Sequence, residues 1–141
     1  MSYTIYHNLM INKDVESVFK AVTDPEQLIN WWPLKCTGKP KINEVYNYNF
    51  TDKYNWFAIV NLIEDKQIHF KMTDSDEDWN PTKFGYELEE KEDGTYLRFF
   101  HKDWPECNDH FKHSSFCWAL LLNGLKDYLE KGIIIPFESR A

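Results

Sequence analysis

Glycine and proline are scarce, at 5 and 6 of 141 residues, which excludes a collagen-like repeat or a Gly/Pro-rich disordered chain. Long apolar runs are lacking too. The longest, Phe116 to Leu122, spans 7 residues, far short of the about 20 that a membrane-spanning helix needs. The opening MSYTIYHNLM has neither a basic region nor an apolar stretch, so no secretory signal is expected. Positive charge is in deficit: 16 Lys and Arg stand against 23 Asp and Glu, for a net charge of −7. Lys and Arg are scattered with no basic run, which argues against nucleic acid as a partner. The acid excess is expected to keep the protein soluble. Cysteine is limited to Cys36, Cys107 and Cys117. Three cannot all pair within one chain, so reduced thiols and a cytoplasmic location are expected.

Aromatic residues, by contrast, are plentiful: 6 Trp, 8 Tyr and 10 Phe make up 17% of the chain. Such side chains bury large areas and favour strands, and they also line small-molecule pockets. A bulky core and a ligand site are both compatible with this composition. The length favours one domain, residues 1–141, able to bury about two thirds of its unfolded surface without a disulfide or metal staple.

Periodicity along the chain predicts the elements. Residues 3 to 11 alternate, with Tyr3, Ile5, His7, Leu9 and Ile11 facing one way, as in a strand. Asn12 is a candidate helix N-cap, followed by Val15, Val18, Phe19 and Val22 at helical spacing. Asp24-Pro25 starts a second short helix that ends near Trp31-Trp32-Pro33. Five strands are then predicted: Val45–Thr51, Asn55–Ile63, Gln67–Thr73, Lys83–Glu89 and Thr95–Lys102. Turn-forming residues separate them, and one face of each is apolar, which implies an antiparallel sheet covered on one side. From Asn108 to Lys131 the pattern is helical. Phe111, Ser114, Trp118, Leu121, Leu122, Leu125, Tyr128 and Leu129 form one broad stripe, and Gly132 sits at the C-cap position. Six strands, two short helices and a long closing helix read as an α+β fold.

Three segments carry a resemblance. INKDVESVFKAVTDPEQLINWW resembles the opening of the SRPBCC (START-related) domains, in particular the proteins similar to the activator of heat-shock protein 90 ATPase. CWALLLNGLKDYLEKG resembles the closing helix of that family, and DGTYLRFFH is similar to its penultimate block. The chain departs from the pattern in carrying Cys117 before the helix Trp, where Gly is common, and in the placement of His110 and His113. The resemblance implies a helix-grip fold, with a curved antiparallel sheet wrapped around the terminal helix and a cavity between. It also implies that the first and last strands are neighbours. The superfamily hosts lipid carriers, cyclases and hydroxylase subunits, so the fold alone does not choose among them.

The expected ligand-binding residues are Trp32, Tyr48, Phe70, Tyr86, Phe99, His101, Ser114, Trp118 and Leu122. Their expected partner is a small hydrophobic or aromatic molecule held without chemistry, with no cofactor. One alternative is an enzyme of cyclase or hydrolase type using His101 and perhaps His7 as acid and base. No catalytic residue is assigned, since no Ser–His–Asp spacing, nucleophile elbow or paired carboxylate supports one. A second alternative is a chaperone-associated interaction module in which exposed Trp residues dock a partner; a chaperone is the least favoured partner. Monomer and homodimer are both open, and no membrane partner is expected. Cys107, His110, His113 and Cys117 share a helix face, but ten residues of helix span about 15 Å. That distance is too great for both thiols to hold one ion, and no metal is expected. Asp74–Asp78 reads as a solvated acidic turn. Trp79 and Trp104 fall in predicted loops, folded back on the core by default.

Overall fold

A computed structural model describes residues 2–141. Its strands are β1 (Tyr3–Ile11), β2 (Lys35–Thr37), β3 (Val45–Asn49), β4 (Asn55–Glu64), β5 (Gln67–Asp74), β6 (Lys83–Lys91) and β7 (Gly94–Trp104). They form a seven-stranded antiparallel sheet in the order β1-β7-β6-β5-β4-β3-β2. Helices α1 (Val15–Thr23) and α2 (Pro25–Leu28) follow β1, and the long α3 (Asp109–Lys131) follows β7. The α+β helix-grip architecture stands, with one correction to the strand count. The seventh strand is β2, whose Cys36 lies opposite Tyr48. Three residues are too few to show a period of two, so pairing with β3 makes this strand and local pattern does not.

Alternation builds the inner face. Tyr46 and Tyr48 of β3, Ala58 and Val60 of β4, Ile68, Phe70 and Met72 of β5, and Phe84, Tyr86 and Leu88 of β6 are all buried. Thr95, Leu97, Phe99 and His101 of β7 complete it. Lys71, Glu87 and Arg98 take the opposite face, as the period of two requires. β1 and β7 are neighbours, with His7 opposite Phe99 and Ile5 opposite His101. β3 stops two residues short of the expected Thr51, because Phe50 and Thr51 donate from their backbone to the Tyr54 carbonyl and turn the chain.

The helices are capped by short polar side chains. Asp14, not Asn12, caps α1: its carboxylate accepts from the Ser17 amide at 3.1 Å and the Ser17 hydroxyl at 2.7 Å. Asn12 is still leaving the strand, and its amide is taken by Glu130 of α3 at 2.7 Å. Asp24 caps α2, with Pro25 in the first turn. Asn108 caps α3 by accepting from the Phe111 amide at 3.0 Å, and Gly132 ends it at φ 68°, a left-handed conformation that suits a residue without Cβ.

α3 lies along the concave face. Ser114, Trp118, Leu122 and Leu125 are buried, whereas Phe111, Leu121, Tyr128 and Leu129 are half-buried. Polar clamps fix its ends. Tyr128 donates to Gln27 Oε1 at 2.5 Å and accepts from Asn30, tying the C-terminal turns to α2. Lys126 bridges the Met10 carbonyl and Glu130. The tail then folds back, and Arg140 reaches the carbonyls of the segment after α2.

Two outcomes follow from this packing. Trp118→Ala removes a fully buried ring from the centre of the grip, and chemical denaturation should show a loss of about 3–5 kcal/mol. Asp14→Ala should lower the thermal midpoint, while Asn12→Ala should leave it unchanged, because only the former removes a cap.

Candidate functional site

Interlocked rings occupy the space between sheet and helix. Trp118 touches Phe99 at 4.4 Å between ring centroids, Trp32 at 4.9 Å and Phe84 at 5.8 Å. Trp32 in turn meets Tyr48 at 4.6 Å, and Phe70 stacks on Phe84 at 4.9 Å. Offset and edge-on contacts of this kind hold aromatic cores together beyond simple burial.

A chain of hydrogen bonds runs through these rings. Trp118 Nε1 donates to His101 Nδ1 at 3.1 Å. An indole N–H can only donate, so His101 Nδ1 is an acceptor and Nε2 carries the imidazole proton. Nε2 then donates to Thr82 Oγ1 at 2.8 Å, and the Thr82 hydroxyl donates to the Trp79 carbonyl at 2.6 Å. Every polar atom in the relay is satisfied in one direction only. His101 is 0% exposed, and burial holds its pKa down to about 3, with the charge of His110 adding to the effect. It is therefore a neutral histidine whose two nitrogens are both occupied.

The open space lies to one side of this core. A cavity of about 220 Å³ sits beside the first half of α3, under the folded-back tail. Its walls are Trp32, Phe50, Trp56, Trp79, Trp118 and Leu121, with Ser114, Cys117, His110, His113, Phe137 and Arg140 among them. Of the residues expected from sequence, Trp32, Ser114 and Trp118 lie on this wall. Tyr48, Phe70, Tyr86, Phe99, His101 and Leu122 are packed away from it. The rings are large enough to meet one another across the centre of the grip, so the centre fills and the opening moves to its edge. Phe50, Trp56, Trp79, Phe137 and Arg140 join the wall without having been singled out for it by spacing. The tail and the loop between β5 and β6 arrive there only by folding back. Trp79, in the loop between β5 and β6, is buried on the core as expected, whereas Trp104, also buried, is the last residue of β7 and not a loop residue.

Polar groups at this wall fall into two sets. One set is engaged. His110 Nδ1 contacts Asp78 at 3.2 Å, and its Nε2 lies 3.9 Å from Asp76. Asn108 also donates to Asp78, so part of the acidic turn is a clasp on the start of α3. His113 contacts the Cys117 sulfur at 3.4 Å, while burial pushes the Cys117 thiol pKa up. That keeps it a thiol at neutral pH and a poor nucleophile. The other set is free. The Trp79 indole Nε1 is buried without a hydrogen-bond partner among the described residues, and the Trp32 indole N–H and the Ser114 hydroxyl, on residues 5% exposed, have none there either. His110 stands one helical turn before Ser114, yet its partners are Asp76 and Asp78. Ser114 consequently has no base in contact.

His7 lies on the other side of α3, where its Nε2 donates to the Ser115 carbonyl at 3.0 Å. It does not line the cavity. The geometry thus separates the two histidines and gives neither a free nitrogen at the open space.

Comparison with known proteins adds the family context. A family model described as activator of Hsp90 ATPase homolog 1-like protein matches residues 12–130. No curated protein matches the chain. Among solved structures, the Aha1 dimer from Colwellia psychrerythraea superposes with a TM-score of 0.83 at 29% identity, covering 92% of this chain and 98% of that one. A protein from Staphylococcus saprophyticus superposes at 0.80 with 22% identity, covering 94% and 96%. A protein in the dynemicin biosynthetic locus superposes at 0.77 with 18% identity, covering 93% of this chain and 48% of that one. The latter two likenesses bear on the fold alone.

The relay carries a pH signature. A histidine buried in the neutral form leaves the unfolded chain binding more protons between the two pKa values. The contribution of His101 is therefore whole above about pH 6.5 and shrinks as the pH falls toward about 3. Urea unfolding should show about 2 kcal/mol lost to this group between pH 7 and pH 5. In His101→Gln, less stable at neutral pH, that component of the slope should disappear.

Proposed function

The chain belongs to the family of activator of Hsp90 ATPase homolog 1-like proteins, and from that premise we propose that it binds a small apolar or aromatic molecule without transforming it. The observation that carries this reading is the cavity of about 220 Å³ whose wall is mostly aromatic yet carries three donors without protein partners among the described residues, on Trp32, Trp79 and Ser114. Burying an apolar body there supplies affinity at about 25 cal/mol per Å², and the donors orient it. The volume is that of about seven liquid waters. A molecule of one or two rings suits it.

Binding without chemistry is the favoured reading because neither candidate nucleophile at the wall is activated. Cys117 remains a thiol, Ser114 has no base against it, and both nitrogens of His101 are engaged. The enzyme alternative asked His101 and His7 to face a ligand, and neither lines the cavity. The family's name comes from an activator of a chaperone ATPase, whereas the chemistry of this cavity calls for a small molecule.

Four of the six tryptophans, Trp32, Trp56, Trp79 and Trp118, line the cavity, so intrinsic fluorescence reads occupancy directly. Titration with 2-naphthol should quench it saturably and raise the thermal midpoint, and the compound should be recovered unchanged by mass spectrometry. Linear, non-saturating quenching with no thermal shift would falsify the proposal.

A further inference from the structure

We infer that the ligand is an anion: a compact aromatic or aliphatic body bearing a carboxylate or an equivalent acidic group, received by Arg140. This deepens the cavity-binding reading above and rests on it. The argument begins with the direction of the free hydrogen-bonding groups. An indole N–H and a guanidinium can only donate, and a serine hydroxyl can donate as well. Trp32, Arg140 and Ser114 line the same cavity, so an occupant that satisfies them must present acceptors.

Charge then separates an anion from a neutral acceptor. Arg140 donates through Nε to the Ile135 carbonyl at 2.8 Å, and through Nη1 to Ile29 at 2.8 Å, Pro33 at 3.3 Å and Trp32 at 3.4 Å. These partners are all neutral carbonyls. The guanidinium makes no ion pair among the described residues, and its Nη2 has no protein partner there. Four carbonyls hold the group in place without cancelling its charge, and partial burial weakens its screening by water. Burial accordingly draws its pKa down, while nearby Glu138 opposes that shift. Near the cavity, Asp76 and Asp78 face His110 and Asn108, and Ala141, which also lines the wall, makes no ion pair with the guanidinium. A pre-positioned arginine fork with a free edge beside a buried hydroxyl is suited to a carboxylate, and Phe50, Trp56 and Trp118 supply the apolar wall for its body.

The test compares 2-naphthoic acid with 2-naphthamide, which have the same ring system and carbonyl but differ in charge at neutral pH. Tryptophan quenching should show the acid binding about tenfold or more tightly to the wild-type protein, as a charge-assisted contact predicts. The ratio should fall as NaCl rises from about 0.05 to about 0.5 M. Arg140→Gln should weaken the acid more than the amide and bring the two affinities together. Ser114→Ala should weaken both. Equal affinities in the wild type, or a preference for the amide, overturn the anion inference and leave the cavity reading standing. A preference for the acid that survives both high salt and Arg140→Gln overturns the role of Arg140. Absence of saturable binding for either compound removes the cavity reading and this inference with it. The wild-type ratio and its salt dependence decide the matter even if Arg140→Gln fails to fold.

Discussion

The hydrogen bond from Trp118 to His101 is the contact on which the rest of the grip depends. A helix laid on an apolar sheet is free to slide or roll, since dispersion and hydrophobic burial have little direction. One directional bond in the middle of the contact removes that freedom. Its strength comes from its surroundings: a buried donor left without an acceptor is costly, and Trp118 and His101 are both almost wholly enclosed. The bond is backed by Thr82 and the Trp79 carbonyl. The helix, the last strand and the loop between β5 and β6 are thereby locked in a single arrangement.

That lock has a functional consequence. It draws Trp118, Phe99, Phe84 and Trp32 into ring-to-ring contact, which closes the middle of the grip. The space that remains lies at its edge, bounded by the turn after α2, the β5–β6 loop and the returning tail. A site made of such parts is compact and one-sided, with aromatic walls and hydrogen-bond donors directed inward. The same lock commits the one fully buried histidine to structure. A neutral imidazole with both nitrogens engaged and its pKa held down to about 3 takes up no further proton at neutral pH.

Much of the architecture was legible before any coordinates. The alternation of Tyr46, Tyr48, Ile68, Phe70, Phe84 and Tyr86 showed which strand faces are covered, because the strand period is two and burial follows it. The stripe from Ser114 to Leu125 marked the closing helix, and Asn108 and Gly132 marked its ends. Local pattern failed where two short-range signals competed or where none existed. Asn12 and Asp14 are both good N-caps by type, and only the course of the chain leaving β1 selects Asp14. β2 has three residues and no pattern of its own. The site was less legible than the fold. Trp32, Ser114 and Trp118 could be placed near an opening from the stripe and the grip. Arg140 and Trp79 could not, since each reaches the cavity from a segment with no periodicity.

The sequence by itself determined the layers. Periods of two and 3.6, turn residues and caps are properties of neighbouring residues, and they dictate which faces are apolar and must meet. Only the tertiary structure decided where the cavity opens, how His101 is protonated and that Arg140 lies at the wall. Those outcomes depend on how large rings from five elements fill one shared volume, and on where a folded-back tail comes to rest. Neither quantity is written in any local stretch of the chain, because each is set by atoms from separate elements, in the case of the tail more than a hundred residues apart.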